Sequence, residues 1–515
     1  MQSISTISKW QDTNMTVNLY TAEQVRELDR IAIKNCGING FQLMQKAARF
    51  AFHTLVKQWP ACKKIHVFCG SGNNAGDGYI LAGIAKQRGF DVTLHYLSLP
   101  ENLKNDALLA YHFSQEANIN CKPFTNGNTS ILSTDKAFVI IDAILGTGLN
   151  SKVTGQYEQA ILLCNQSTAP ILAIDIPSGL SANTGQPLGA TIKAESTATF
   201  IGLKQGMLTG AGRNYCGEIF FDDLDITADI YDQVSINAKR LNIDTVLKLI
   251  KPRELSAHKG QYGHVLLIGG DHGYGGAIIM AAEAAARMGA GLVSVATQPE
   301  HVSPLLSRQP EVMVKAVTST GDLLPLLEQA NVIVIGPGLG QSAWSEQMLH
   351  CTLKSKQTTI LDADALNLLC KKPEWLIHSN LILTPHPGEA ARLLDLPTAS
   401  IQEDRFKSVK AVQKKWGGSA LLKGSGSLIS HREGSIKLCP YGNPGMASGG
   451  MGDVLSGMLG GLIAQGLSKE DALELAVCLH AKAADISTQK DGQRGLLATD
   501  LIAIARLLLN NKSYE

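Results

Sequence analysis

At 515 residues the chain exceeds what one hydrophobic core supports, and about two to four domains are expected. Apolar residues make up 44% and charged residues 18%, a globular composition that excludes a disordered chain. With 46 basic and 45 acidic residues the net charge is +1, so neither nucleic acid nor an anionic membrane is an expected partner.

No uncharged apolar run is long enough to span a bilayer, and the N-terminal MQSISTISKWQDTN lacks the apolar core of a signal peptide. A cytoplasmic location is expected. Ten cysteines are scattered without a C-x-x-C pair, which points to reduced, buried thiols rather than a zinc or disulfide framework. Residues 1–18 form a polar N-terminal segment. Thr21-Ala-Glu-Gln24 predicts a capping box that opens a helix, with Val25, Leu28 and Ala32 on one face. A second amphipathic helix carries Leu43, Met44, Ala47, Ala48, Phe52 and Leu55.

From residue 64 the pattern changes. KIHVFC reads as a strand and runs into CGSGNNAGDG; AFVIIDAILGTG (137–148) and APILAIDIPSGL (169–180) repeat the design. Strands apolar on both faces, alternating with helices, predict a parallel sheet covered on both sides. The polar, acidic DDLDITADIYDQ, where no strand is expected, marks a boundary. Strand-then-glycine units then resume in HVLLIGGDHG, NVIVIGPGLG, TTILDADALN, LILTPHPGE and SALLKGSGS. The expected fold class is α/β with two domains, 19–230 and 237–512, the first a Rossmann-like three-layer sandwich.

Ligands of such sheets collect beyond the carboxyl ends of the strands. The loop Gly70-Ser-Gly72-Asn73-Asn74-Ala75-Gly76-Asp77 would bring bare backbone to a phosphate at a helix N-terminus, or be only a tight turn. A hydride-transferring dehydrogenase is disfavoured. Its acid should close the next strand, whereas Asp91 precedes VTLHYL. Asp142 and Asp175 each end a strand and are candidates for acid–base or cation duty, or for caps. Asn74, Asp142 and Ser178 offer hard oxygens, which suit an alkali or alkaline-earth ion rather than zinc.

Residues 442–457, GNPGMASGGMGDVLSG, hold six glycines. Their backbone N–H groups would face nucleotide phosphates at a helix N-terminus, with Asp453 as general base; a glycine-rich helix contact is the other reading. Lys423-Gly-Ser-Gly-Ser427 would place a point charge on phosphate or be a surface turn. His386 lies between two prolines, which stiffen its loop. Asp362 and Asp364 could hold Mg²⁺ through water or cap a helix. The domain has no Walker motif.

On GNNAGDG, DAILGTGL and DIPSGL, residues 20–225 resemble the YjeF N-terminal family, the NAD(P)H-hydrate epimerases. The resemblance implies that Asn73, Asn74, Ala75, Gly76, Asp77 and the loop Gly146, Thr147, Gly148, Leu149, Asn150, Ser151 and Lys152 hold the dinucleotide. It places potassium on Asn74, Asp142 and Ser178, and makes Asp175 the acid/base at the hydrated ring. One departure is NNAGD for the commoner NNGGD. The methyl of Ala75 would crowd the loop if that position required a positive φ.

On SAHKGQYGHVLLIGG, GPGLG, DADALNLL, TPHPGEAARLL, KGSGS and NPGMASGGMGDVLSG, residues 256–457 resemble the ribokinase-like superfamily, and within it the NAD(P)H-hydrate dehydratases. The resemblance implies ADP or ATP, with Mg²⁺, on Lys423, Gly424, Ser425, Gly426 and Ser427. It extends that nucleotide site to Asn443, Gly445, Met446, Ala447, Ser448, Gly449, Gly450, Met451 and Gly452. Ala277, Gly338, His386 and Asp453 would line the hydrated-dinucleotide pocket. Together the resemblances imply repair of hydrated NADH and NADPH in two steps. The first half would epimerise the R and S hydrates at C6; the second would dehydrate the S form. A homo-oligomer is the expected assembly. Still open is a ribokinase-like small-molecule kinase carrying an N-terminal binding or scaffold domain.

Overall fold

The computed structural model describes residues 17–35, 37–125, 138–376 and 380–511. Most of the expected polar segment 1–18 lies outside these, although Val17–Tyr20 form a strand. The chain divides into two compact units, Val17–Ala238 and Lys239 onward.

In the first unit, strand Lys64–Cys69 lies between Asp91–Tyr96 and Phe138–Ala143. The sheet continues to Asn120–Pro123 on one side and to Ile171–Ile174, Ser196–Phe200 and Glu218–Asp222 on the other. All seven strands are parallel. The doubly apolar strands have a direct cause. Ile65, Val67, Val139 and Ile141 enter one core, while Phe68, Phe138 and Ile140 enter the core on the opposite face. With both faces buried, alternation of polar and apolar residues has no reason to exist. Strand order reverses between Lys64–Cys69 and Phe138–Ala143, which opens a crevice beyond their carboxyl ends. The helix Ala22–Asn35 starts at the expected capping box: Gln24 N donates to Thr21 Oγ1 at 3.3 Å and Thr21 N donates to Gln24 Oε1 at 2.9 Å.

In the second unit, His264–Ile268 is flanked by Leu292–Thr297 and Val332–Ile335. Met313–Ala316 extends one side; Thr358–Leu361, Leu381–Leu383 and Ser419–Leu422 extend the other, all parallel. Leu428–Ser430 and Ile436–Leu438 then add an antiparallel meander. Residues 222–245, expected to hold no strand, contain a short one, Ala238–Arg240. Three residues are too few to show a period, and its Arg240 is buried against the usual pattern. Among the described residues no helix is long and apolar enough to cross a membrane. The nine described cysteines are free thiols, and Cys36 lies outside the described residues.

Helices Gly275–Arg287 and Met451–Ala464 pack against one another. Close approach needs Gly457, where a Cβ would overlap the carbonyl oxygen of Ala281. Gly457→Val should therefore force the helices apart and cost about 1–3 kcal/mol. A fall in the thermal transition of the second unit would show it; an unchanged transition would refute the packing argument.

Candidate active sites

The crevice of the first unit is a cleft of about 590 Å³. Its walls are the helix Ala22–Asn35, the loop before helix Asn73–Gln87, and residues 144–151. Asn73, Asn74, Asp77, Gly146, Thr147, Gly148, Leu149, Asn150, Ser151 and Asp175 line it. Ala75 and Gly76 do not; they face the core in the first helical turn, where Gly76 leaves room for Met44. Lys152 is exposed and is not among the lining residues. Because Ala75 is helical and not at positive φ, its methyl causes no strain, and the departure from NNGGD is harmless.

Asp142 is wholly buried, and burial pushes its pKa up to about 6 despite three donors. Ser178 Oγ donates to its Oδ1 at 2.6 Å, Ser178 N to its Oδ2 at 2.8 Å, and Ile144 N to its Oδ1 at 3.2 Å. Asn74 Nδ2 donates to Leu145 O at 3.1 Å, while its buried Oδ1 has no partner. An unmet buried acceptor costs roughly 1–3 kcal/mol. The chemistry of this set, all oxygen with one orphan, fits a hard alkali or alkaline-earth cation.

Asp175 sits at φ 66°, just past the strand end, and accepts a hydrogen bond from Lys204 Nζ. The Lys204 side chain is completely buried and also donates to Thr199 Oγ1 at 2.9 Å and Phe200 O at 3.2 Å. Three further acids line the cleft, Asp29, Asp77 and Asp106. Burial, with Asp175 and Asp29 nearby, pushes Asp77 well above the carboxylate range. Burial, against the pull of Lys204, raises Asp29 to about 7. Asp29 and Lys204 are absent from the sequence reading. A charged residue on an amphipathic helix reads as solvated surface, and Lys204 lies in no recognisable motif.

In the second unit the loops after Leu361, Leu383 and Leu422 converge on one network. Asp362 is buried; its Oδ1 accepts from Lys423 Nζ at 2.7 Å and Thr384 Oγ1 at 2.9 Å, and its Oδ2 from Ser456 Oγ at 2.8 Å. Burial alone would raise its pKa, but the Lys423 ammonium and these donors outweigh it and hold the carboxyl low. Those three donors fill three of its roughly four acceptor sites, and Asp362 is the N-cap residue of helix Ala363–Lys371, the alternative role expected for it. Asp364 accepts from Gln341 at 2.9 Å and Asn367 at 3.0 Å.

Asp453 stands in the first turn of helix Met451–Ala464, behind Gly450, whose φ of 87° a side chain would resist. Burial and then Asp362 push its pKa up to about 7, with Lys423 partly offsetting them. A Cβ on Gly452 would lie 3.2 Å from Lys423 Nζ and 3.3 Å from Asp362 Oδ2, so the two glycine-rich loops meet here. Lys423 is itself held by Arg405, which donates to the carbonyls of Leu422 and Lys423 at 3.3 Å. Gly424 lies against that guanidinium, and Ser427 Oγ closes the loop onto Gly424 O at 3.0 Å. Asn443 accepts from Gly445 N at 3.0 Å and donates to Asp485 at 2.9 Å; Ser448 Oγ donates to Leu496 O at 3.1 Å. Ala447, Ser448 and Gly449 are exposed. A Cβ on Gly449 would meet nothing.

His386 is the N-cap of helix Pro387–Leu394: its Nδ1 accepts from Gly388 N at 3.0 Å, and Glu389 accepts from His386 N at 2.8 Å. Burial, then Lys423 and Arg392, hold the imidazole below its ordinary pKa. Gly338 packs on Ala277, with 3.2 Å from its would-be Cβ to the Ala277 Cβ, at the reversal of strand order. The helix-contact reading of the glycine-rich stretch holds for Gly457, and Gly460 and Gly461 beyond it pack helices and strands in the same way. Gly449 to Gly452 shape the loop.

Residues 40–206 match the family described as YjeF-related protein N-terminus, and residues 265–506 match NAD(P)H-hydrate dehydratase. The "bifunctional NAD(P)H-hydrate repair enzyme Nnr" of Coxiella burnetii is 45% identical over 96% of this chain and all of its own. The protein of the same name from Escherichia coli is 41% identical over 96% of this chain and 94% of its own. A solved structure, ADP/ATP-dependent NAD(P)H-hydrate dehydratase from Bacillus subtilis co-crystallised with ATP/Mg²⁺, is 28% identical. It covers 52% of this chain and 96% of its own, with a TM-score of 0.46. The fold and the two sites define a two-unit α/β enzyme, Rossmann-like and then ribokinase-like. The chain belongs to the family of bifunctional NAD(P)H-hydrate repair enzymes.

Proposed function

We propose that the first unit's cleft interconverts the C6 epimers of hydrated NADH and NADPH, and that the second unit dehydrates the S epimer at the expense of ADP or ATP. The observation that carries it is Asp453. This acid is raised to about 7, at a helix N-terminus, beside bare-backbone loops pinned by the Lys423–Asp362 pair. Asp453 takes the proton of the C6 hydroxyl, whose oxygen attacks the terminal phosphorus of the nucleotide. The bond from that phosphorus to the rest of the nucleotide breaks. N–H groups between Asn443 and Gly452 stabilise the charge that develops. The ring nitrogen then expels phosphate from C6, the C5 proton departs, and the reduced nicotinamide returns. Mg²⁺ would arrive on the nucleotide phosphates, whose charge it offsets; among the described residues no cluster of three His, Cys, Asp or Glu side chains could hold a metal ion. Ala277, Gly338 and His386 would border the dinucleotide.

In the cleft, Asp175 exchanges protons at C6, and Asn73, Asp77 and residues 146–151 bind the dinucleotide. Asn74, Asp142 and Ser178 would hold potassium, whose charge would lock the Leu145 loop to the helix N-terminus. Epimerisation is accordingly expected to need K⁺. Asn74→Ala should lower the rate about tenfold or more and remove the response to KCl at constant ionic strength. A variant that still responds normally would count against this ligand set.

The decisive test incubates purified protein with mixed hydrate epimers, potassium, magnesium and either nucleotide. Return of reduced-nicotinamide absorbance, consuming both epimers, is expected. A stable phosphorylated alcohol without that absorbance would mark the protein as a small-molecule kinase instead.

A further inference from the structure

Epimerisation at C6 poses a problem that one carboxylate does not solve. The carbon bears both the hydroxyl and the ring nitrogen. When the nitrogen lone pair forms C6=N1, the C6–O bond breaks and the departing oxygen needs a proton. Water must then add to the other face, re-forming C6–O as the pair returns to nitrogen, and it must lose a proton. The two events happen on opposite sides of the ring, so two groups serve better than one.

The cleft holds such a second group. Asp29 projects from helix Ala22–Asn35, an element separate from the strand end that carries Asp175, and both line the same cavity. The two carboxyls differ in their partners. Asp175 is engaged by Lys204 Nζ and, at 3.4 Å, by Thr199 Oγ1. No hydrogen bond is made to Asp29 among the described residues, so its oxygens are free to meet a substrate. Resting on the assignment of this cleft as the epimerase site, we propose that Asp29 is the second catalytic carboxyl, exchanging a proton with the C6 oxygen on one face while Asp175 does so on the other.

In one direction Asp29 protonates the leaving hydroxyl, which departs as water, and Asp175 accepts the proton of the water that adds. The reverse direction uses the same pair with roles exchanged, so one proton is shared and none is created. Lys204 is a positioning residue, because its ammonium fixes Asp175 and does not leave the core. The charged groups that line the cleft with Asp29 are Asp77, Asp106, Asp175 and Lys204, with Arg26 on its own helix, and the Tyr231 phenol is close enough to interact with it. Burial, with Asp175 nearby, keeps Asp29 protonated to about pH 7, while Lys204 opposes this. The active, singly protonated pair is therefore lost as Asp29 ionises on the alkaline side.

The test uses the full chain, whose second unit reports on its own integrity. Wild-type protein is first shown to equilibrate the epimers with nucleotide omitted; failure there removes the epimerase assignment and says nothing against Asp29. Asp29→Asn is then expected to lower kcat for epimerisation about 100-fold or more with KM within about threefold, and to lose the alkaline limb. An unchanged thermal transition of the first unit serves as the folding control, while dehydration of the S epimer by the same preparation reports the second unit. Asp29→Glu should recover a substantial part of the rate together with the limb. The proposal is overturned if Asp29→Asn epimerises within threefold of wild type and keeps the limb. It is equally overturned if Asp29→Glu folds yet is as slow as the asparagine variant.

Discussion

Replacing Asp453 with asparagine is expected to lower dehydration by a factor on the order of 10²–10⁴, the range that general-base catalysis supplies. The substitution keeps the shape of the side chain and the helix start behind Gly450. It removes only the ability to accept a proton. Nucleotide affinity, set by the loops at Lys423–Ser427 and Asn443–Gly452, should stay within about twofold, and epimerisation in the first unit should not change. The pH dependence carries a sign. Burial first, then Asp362, place this acid at about 7, and a base works only when ionised. Dehydration by the wild-type chain should thus rise with pH through about 7 and level off above it. An asparagine variant that turns over at near-normal rate, or a wild-type rate that falls across this range, would remove Asp453 as the base.

Much of this site is legible in the sequence, because the strands are apolar on both faces and stop at conspicuous residues. The runs KIHVFC, NVIVIG and SALLK each place a strand, and the next residues fall into a crevice by topology alone. Asp175 stands out for that reason, and Asp453 because it closes a run of glycines at a helix start. What escapes is everything that acts across the fold. Asp29 looks like one more charge on an amphipathic helix, yet it faces a cleft. Lys204 is in no motif, and its partner Asp175 lies 29 residues away. Arg405 supports the Lys423 loop, and Asp485 supports the Asn443 loop from 42 residues away; neither reads as more than a surface charge. The ion pair of Asp362 escapes for the same reason. Its partner Lys423 is 61 residues away, and only the folded chain shows that the carboxylate is already paired. Local pattern fixes where a residue sits along an element, but not which distant charge answers it.

That buried pair yields the second large effect. Lys423→Met removes the ammonium from Asp362, leaving a fully enclosed carboxylate with only the hydroxyls of Thr384 and Ser456. Stranding one partner of such a pair costs about 3–5 kcal/mol. The lower end is expected here, since the lysine side chain keeps 20% exposure. Replacing both partners should be less harmful than the single change, because Lys423→Met with Asp362→Leu strands no carboxylate at position 362 and leaves only Glu389, 3.9 Å from the Lys423 ammonium, without its cation. The penalty also has a pH signature. The folded pKa of Asp362 is depressed, so its contribution is complete above the ordinary carboxylate pKa of about 4 and fades as pH falls through the folded value. Destabilisation by Lys423→Met should therefore be full at neutral pH and shrink in acid. Hydrogen exchange in strands Thr358–Leu361 and Ser419–Leu422, which the two residues directly follow, reads the local cost at each pH. A loss under about 1 kcal/mol at pH 7, or a double variant worse than the single, would mean that the pair does not hold these loops together.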